Sequence, residues 1–145
     1  TELALRLMYR ELYEQGVMLE GTLLKPNMVV SGSKCAVQAG AEEVAQATVR
    51  CFKRAVPAAV PGVVFLSGGQ TPEQATEHLN AMNAMGGGPW ELSFSYGRAL
   101  LDPVLRAWKG ENDNAPSAQA ALYHRAQLNG SARDGSYDSA MEKAA

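Results

Sequence analysis

Two cysteines in 145 residues, Cys35 and Cys51, are too few for a disulfide framework or a cysteine metal cluster. They read as reduced thiols packed inside a cytosolic protein. Histidine is equally scarce: His78 and His124 stand on helical faces without a partner at ligand spacing, and both are expected to be exposed. Charge of either sign is sparse, at 19% of residues, and the formal net charge is only -2. A nucleic-acid or anionic-membrane binder would carry a basic patch, so neither partner is expected. No apolar run approaches the roughly 20 residues of a membrane-spanning helix. The opening stretch, Thr1-Glu2-Leu3-Ala4-Leu5-Arg6, lacks the charged-then-apolar layout of a signal peptide. It also lacks a methionine and starts inside a helical pattern, so the chain reads as part of something longer.

What is present is a regular alternation of helical and strand patterns. Leu5, Met8 and Leu12 recur at helical spacing through Tyr13, and Gly16 stops that helix. Val17 to Leu24 is the first strand expected, followed by a loop from Pro26 to Gly40. A helix over about Ala41 to Ala55 buries Val44, Ala47, Thr48, Cys51, Phe52 and Ala55. The second strand is Val63 to Leu66. Thr71-Pro72-Glu73-Gln74 carries a helix start, with Thr71 as cap, proline at the first helical position and Gln74 closing a capping box. That helix points Ala75, Leu79 and Met82 inward. A third strand, Glu91 to Tyr96, precedes two helices, about Ala99 to Trp108 and Pro116 to Leu128. Leu101, Val104, Leu105 and Trp108 form the apolar stripe of the former. The glycine-containing segment from Asn129 onward is expected to lose order. The domain division is therefore 1–130 for the folded part and 131–145 for a poorly ordered tail.

Strands alternating with helices imply right-handed crossovers and a parallel sheet. Three strands cannot close a barrel, and they leave two parallel edges open. In such folds the carboxyl ends of the strands share one face, where the active site forms. All three strands end in useful chemistry: Lys25 on the first, Ser67-Gly68-Gly69 on the second, Ser95-Tyr96-Gly97-Arg98 on the third. A lysine carried into an apolar interior is desolvated toward the range where a free amine attacks carbonyls. Lys25 is thus a candidate Schiff-base nucleophile. Glycine turns bring backbone N–H groups close to an anion, and a helix begins directly after Thr71. Arg98 offers a fork suited to phosphate oxygens, while Ser67 and Ser95 offer hydroxyls. Singly, each has a plainer reading: a strand-end turn, a surface cation at a helix start, a lysine snorkelling out of its strand. Their joint occurrence favours an amine beside a phosphate grip, which suits a phosphorylated keto or aldehyde substrate.

At these residues the chain resembles the class I fructose-bisphosphate aldolases, which are metal-independent Schiff-base enzymes. The matching stretches are Leu19-Glu20-Gly21-Thr22-Leu23-Leu24-Lys25-Pro26-Asn27-Met28-Val29, Phe65-Leu66-Ser67-Gly68-Gly69-Gln70 and Phe94-Ser95-Tyr96-Gly97-Arg98-Ala99-Leu100. The resemblance implies an α/β fold of which this chain is the C-terminal part, strands six to eight and flanking helices of a (β/α)8 barrel. It implies Lys25 as the imine-forming amine. Ser67, Gly68, Gly97 and Arg98 would hold the phosphate on C1 of the sugar, with Ser95 and Tyr96 lining that site. It further implies no cofactor and no metal, a phosphorylated sugar as the partner, a cytoplasmic location and a homotetramer when full-length. Two departures stand out. The family's first five strands, with further acid, lysine and arginine groups, are not in this sequence, and the ending Asp138-Ser139-Ala140-Met141-Glu142-Lys143-Ala144-Ala145 has no terminal tyrosine. Two alternatives stay open: a non-catalytic half-barrel serving in assembly, and a lysine-imine lyase for another phosphorylated sugar.

Overall fold

The computed structural model describes residues 1–143. Its elements run α1 (Glu2–Glu14), β1 (Leu23–Leu24), α2 (Ala41–Ala55), β2 (Gly62–Phe65), α3 (Pro72–Ala84), β3 (Glu91–Phe94), α4 (Arg98–Trp108) and α5 (Ala115–Arg133), with short 3-10 turns at Leu19–Gly21, Asn112–Asn114 and Ser139–Lys143. The three strands form one parallel sheet in the order β1-β2-β3. Leu23 pairs with Gly62 and Leu24 with Val63, and Gly62, Val63, Val64 and Phe65 face Glu91, Leu92, Ser93 and Phe94.

Because side chains alternate across a strand, this register sorts the sheet into two unlike faces. Leu24, Val63, Phe65 and Leu92 lie on the face the helices cover, all buried. Phe52 of α2 stacks on Phe65 at 5.7 Å and meets the edge of Trp90 at 6.3 Å, and Val44, Leu79 and Met82 close the layer. The opposite face carries Leu23, Gly62, Val64, Glu91 and Ser93, and among the described residues no helix lies over it. Leu23 is 63% exposed there. Space beside Gly62 is tight: a Cβ there would sit 3.1 Å from the end of the Leu23 side chain, which would have to shift by a few tenths of an ångström.

The α3 start matches its sequence signature. The Thr71 hydroxyl accepts from Gln74 N–H, and the Gln74 side chain accepts from Thr71 N–H. Three expectations are corrected, for the first strand, the last helix and the thiols. The first strand is two residues, not eight, because a 3-10 turn at Leu19–Gly21 takes up its first half. The α4 stripe faces outward: Leu101, Leu105 and Trp108 are exposed, with α4 packed beside α5 and nothing among the described residues over its outer side. Helix α5 does not stop at Leu128 but continues to Arg133, and Asn129 is buried in it with its side chain bonded to Thr76 and to the Arg125 carbonyl. Of the two thiols only Cys51 is buried; Cys35 lies exposed in the loop before α2. The segment after Asn129, expected to lose order, packs back on the body of the chain as far as residue 143. Tyr137 N–H donates to Asn80, and Glu142 pairs with Arg125. The part of that expectation concerning residues 144–145 lies outside the described residues.

Candidate functional site

Parallel strands place their carboxyl ends on one rim, and backbone bonds past the strands hold the three ends together. Leu66 N–H donates to the Pro26 carbonyl at 3.0 Å, and Ser95 N–H donates to Phe65 at 2.8 Å. Lys25 precedes Pro26 on this rim, and strand alternation puts it on the face of Leu23. Its side chain is exposed. The burial expected for it is therefore not supplied by this chain: the open sheet face has no second wall.

The other two strand ends are joined directly. Gly68 adopts φ +59°, a conformation that glycine takes at little cost, and the turn Ser67–Gln70 closes with Gln70 N–H on the Ser67 carbonyl. The Arg98 guanidinium crosses from the start of α4 and donates to the Gly68 carbonyl. Ala99 N–H approaches the buried Ser67 Oγ at 3.4 Å. Ser67, Gly68, Gly97 and Arg98 thus come together, with Ser95 half-buried beside them. Arg98, Asp102 and Arg106, four residues apart along α4, line a cleft of about 350 Å³ with Gly68, Gly69 and the first residues of α3.

Tyr96 does not point into this space. It is buried, and its hydroxyl donates to the Ala75 carbonyl of α3 at 2.8 Å. Burial raises its pKa far above the usual phenol value. Its role here is to fasten β3 to α3. Tyr96→Phe is expected to cost about 1 kcal/mol in urea unfolding and to leave phosphate binding by the chain unchanged. A loss of affinity of about tenfold, 1.4 kcal/mol, would instead put the hydroxyl in the ligand site.

A second cleft, of about 400 Å³, runs behind the Ser67–Gln70 turn between the loop before α2 and helix α3. Asn27, Ser31, Gln38, Gln70, Gln74 and His78 contribute its polar lining. His78 corrects the reading of an exposed histidine. It is 7% exposed, and its Nδ1 lies against Gln70 Oε1. Burial lowers its pKa, with Glu77 acting weakly in the opposite sense. Sequence reasoning missed Gln70, Gln74 and His78 as a group. The available signal covered only Gln74 and His78, four residues apart on one side of α3, whereas Gln70 lies in the turn before that helix. His124 is half-buried rather than exposed.

Residues 1–145 match the family model described as "Glycolytic: Fructose-bisphosphate aldolase class-I". The chain belongs to the class I fructose-bisphosphate aldolases. A probable fructose-bisphosphate aldolase class 1 of Xanthomonas axonopodis pv. citri is 54% identical over 138 residues, which is 94% of this chain and 41% of the relative. The fructose-bisphosphate aldolase of Dictyostelium discoideum is 50% identical over 137 residues, 94% of this chain and 38% of the relative. A crystal structure of the Plasmodium falciparum aldolase superposes with a TM-score of 0.92 at 47% identity, over 94% of this chain and 40% of that one. This aldolase chain therefore spans about two fifths of the length of the curated relatives it matches. Among the described residues no three His, Cys, Asp or Glu side chains group as a metal site, and no helix is long and apolar enough to cross a membrane.

Proposed function

We propose that this chain furnishes strands six to eight of a (β/α)8 barrel that cleaves fructose 1,6-bisphosphate reversibly to dihydroxyacetone phosphate and glyceraldehyde 3-phosphate. The observation that carries the reading is the rim itself: an amine on one strand end, and a glycine turn tied to an arginine on the next two. The Lys25 amine adds to the C2 ketone and water leaves, giving an imine. Protonated, the imine draws electrons from the C3–C4 bond as a base takes the C4 hydroxyl proton. The aldehyde departs, an enamine remains, and its protonation and hydrolysis release the ketone and the free lysine. Ser67 Oγ, the Gly68 and Gly97 backbone and the Arg98 guanidinium hold the C1 phosphate, which aligns C2 with the amine.

The uncovered sheet face and the exposed α4 stripe fit this assignment, because a closed barrel buries both. The base and the grip for the second phosphate are assigned to the other strands of the barrel. The test is complementation. The chain is mixed or co-expressed with the barrel strands of the Xanthomonas relative that it does not span, and cleavage is followed by a coupled assay. Activity is expected from the pair and not from either part. A pair that assembles into one particle yet neither cleaves substrate nor is labelled by dihydroxyacetone phosphate and borohydride would refute the assignment.

A further inference from the structure

The Ser67–Gln70 turn is held from behind by a relay that starts on α3. Gln70 Nε2 donates to the Ser67 carbonyl at 3.0 Å, joining the Gln70 backbone N–H on the same oxygen. With its amide nitrogen so engaged, Gln70 turns Oε1 toward His78 Nδ1. An amide oxygen can only accept, so Nδ1 carries the ring proton and Nε2 is the bare nitrogen of the neutral ring. A trans peptide is planar, with its C=O and N–H pointing in opposite directions. Two donors on the Ser67 carbonyl therefore fix where the Gly68 N–H points. The next peptide plane is set in the same way by Arg98 on the Gly68 carbonyl. The glycines leave the turn free to rotate, and restraint must come from side chains.

We propose that His78 is a positioning residue for anion binding: through Gln70 it locks the Ser67–Gly68 peptide plane and presents the Gly68 N–H to a substrate phosphate. This rests on the phosphate reading of the turn given above, and the residue itself touches no ligand. His78 reaches the turn from mid-helix, where Ala75, Leu79 and Met82 anchor α3 in the core with no exposed surface. The restraint is thus referred to a helix face buried in the core.

The experiment uses the full 145-residue chain, labelled with ¹⁵N and titrated with inorganic phosphate. In the parent, the His78 ring should show the Nδ1–H tautomer, and phosphate should shift the Gly68 amide saturably. His78→Leu keeps bulk but loses the donor, and is expected to weaken phosphate binding roughly 3–10-fold, the range for one lost hydrogen bond. His78→Asn should restore binding to within about twofold, because the Asn amide nitrogen sits where Nδ1 sat. Gln70→Ala combined with His78→Leu should be no worse than Gln70→Ala alone, as two links of one chain are not additive. Urea midpoints report whether each variant is folded, and a purely structural histidine would move those without moving the Gly68 amide of the folded chain. Equal affinity in the parent and the leucine variant, additive losses, or an Nε2–H tautomer each overturn the proposal. A parent whose Gly68 amide ignores phosphate overturns the phosphate reading as well. In that case faster exchange of the Gln70 amide in His78→Leu still separates failure of the ligand from failure of the relay.

Discussion

In the full-length enzyme, Lys25→Met should lower aldol cleavage by on the order of 10⁴-fold or more, with substrate affinity nearly kept. The split follows from the division of labour on the rim. In the proposed site phosphate is gripped by the Ser67–Gly68 turn and by Arg98, which are joined to each other without the amine. The amine alone can form the electron-withdrawing imine, and no neighbouring group replaces a deleted covalent nucleophile. Lys25→Arg should fare no better, since a guanidinium stays protonated and does not add to carbonyls. The measurement is borohydride trapping with dihydroxyacetone phosphate followed by peptide mapping, beside kcat and KM. A second expectation follows from exposure. In the 145-residue chain Lys25 is open to water, so trapping should be slower than in the closed barrel, where the missing wall would desolvate it. Labelling of Lys25→Met at the parent rate would sink the assignment of the nucleophile.

Arg125→Met should cost about 3–5 kcal/mol in urea unfolding, the range for stripping one partner from a buried charge network. The Arg125 side chain is 4% exposed, and its Nη1 donates to Glu142 at 2.6 Å. Its Nη2 donates to the Pro72 carbonyl in the first turn of α3 and to Thr76, which in turn bonds Asn129. Tyr137 closes the set by donating to Glu142 at 2.8 Å. Burial, and after it the Glu142 contact, raise the Tyr137 pKa. Removing Arg125 takes one donor each from the Pro72 carbonyl and the Thr76 hydroxyl, which keep their bond to each other, and leaves the Glu142 carboxylate without its cation. Glu142 is 21% exposed and keeps some water, which sets the expectation toward the lower end. Glu142→Gln should cost less, about 1–2 kcal/mol. A double change of Arg125→Met with Glu142→Leu should recover part of the loss, since a buried pair replaced by apolar groups can be neutral. A single Arg125→Met within about 0.5 kcal/mol of the parent, the range of an ordinary surface change, would mean that the Arg125 network contributes nothing to the fold.

Much of the architecture was legible because neighbours in sequence carry it. The α2 stripe from Val44 to Phe52, the capping box at Thr71 and the inward Ala75, Leu79 and Met82 all depend on spacings within one helix. The strand ends were legible for the same reason: glycines and an arginine directly after apolar runs mark the rim wherever the strands fold. Tyr96, His78 and Cys35 were misplaced because burial depends on what a distant element brings. Ala75 takes the Tyr96 hydroxyl from 21 residues away, and Arg125 meets Thr76 across 49. The Leu101, Leu105 and Trp108 stripe was legible as a stripe, and the structure leaves it exposed. Periodicity marks which side of a helix is apolar, whereas a partner surface decides whether that side is covered.

By itself, then, the sequence determined the order of helices and strands, the parallel sheet and the residues gathered on its carboxyl rim, since these follow from local pattern and the handedness of crossovers. Only the tertiary structure decided how those residues are held. It turned Tyr96 away from the rim and set His78 behind the Ser67–Gln70 turn. It also left Lys25 on an open sheet face. The reason is physical: a side chain's type sets what it can bond, but desolvation and hydrogen-bond partners come from packing against remote parts of the chain.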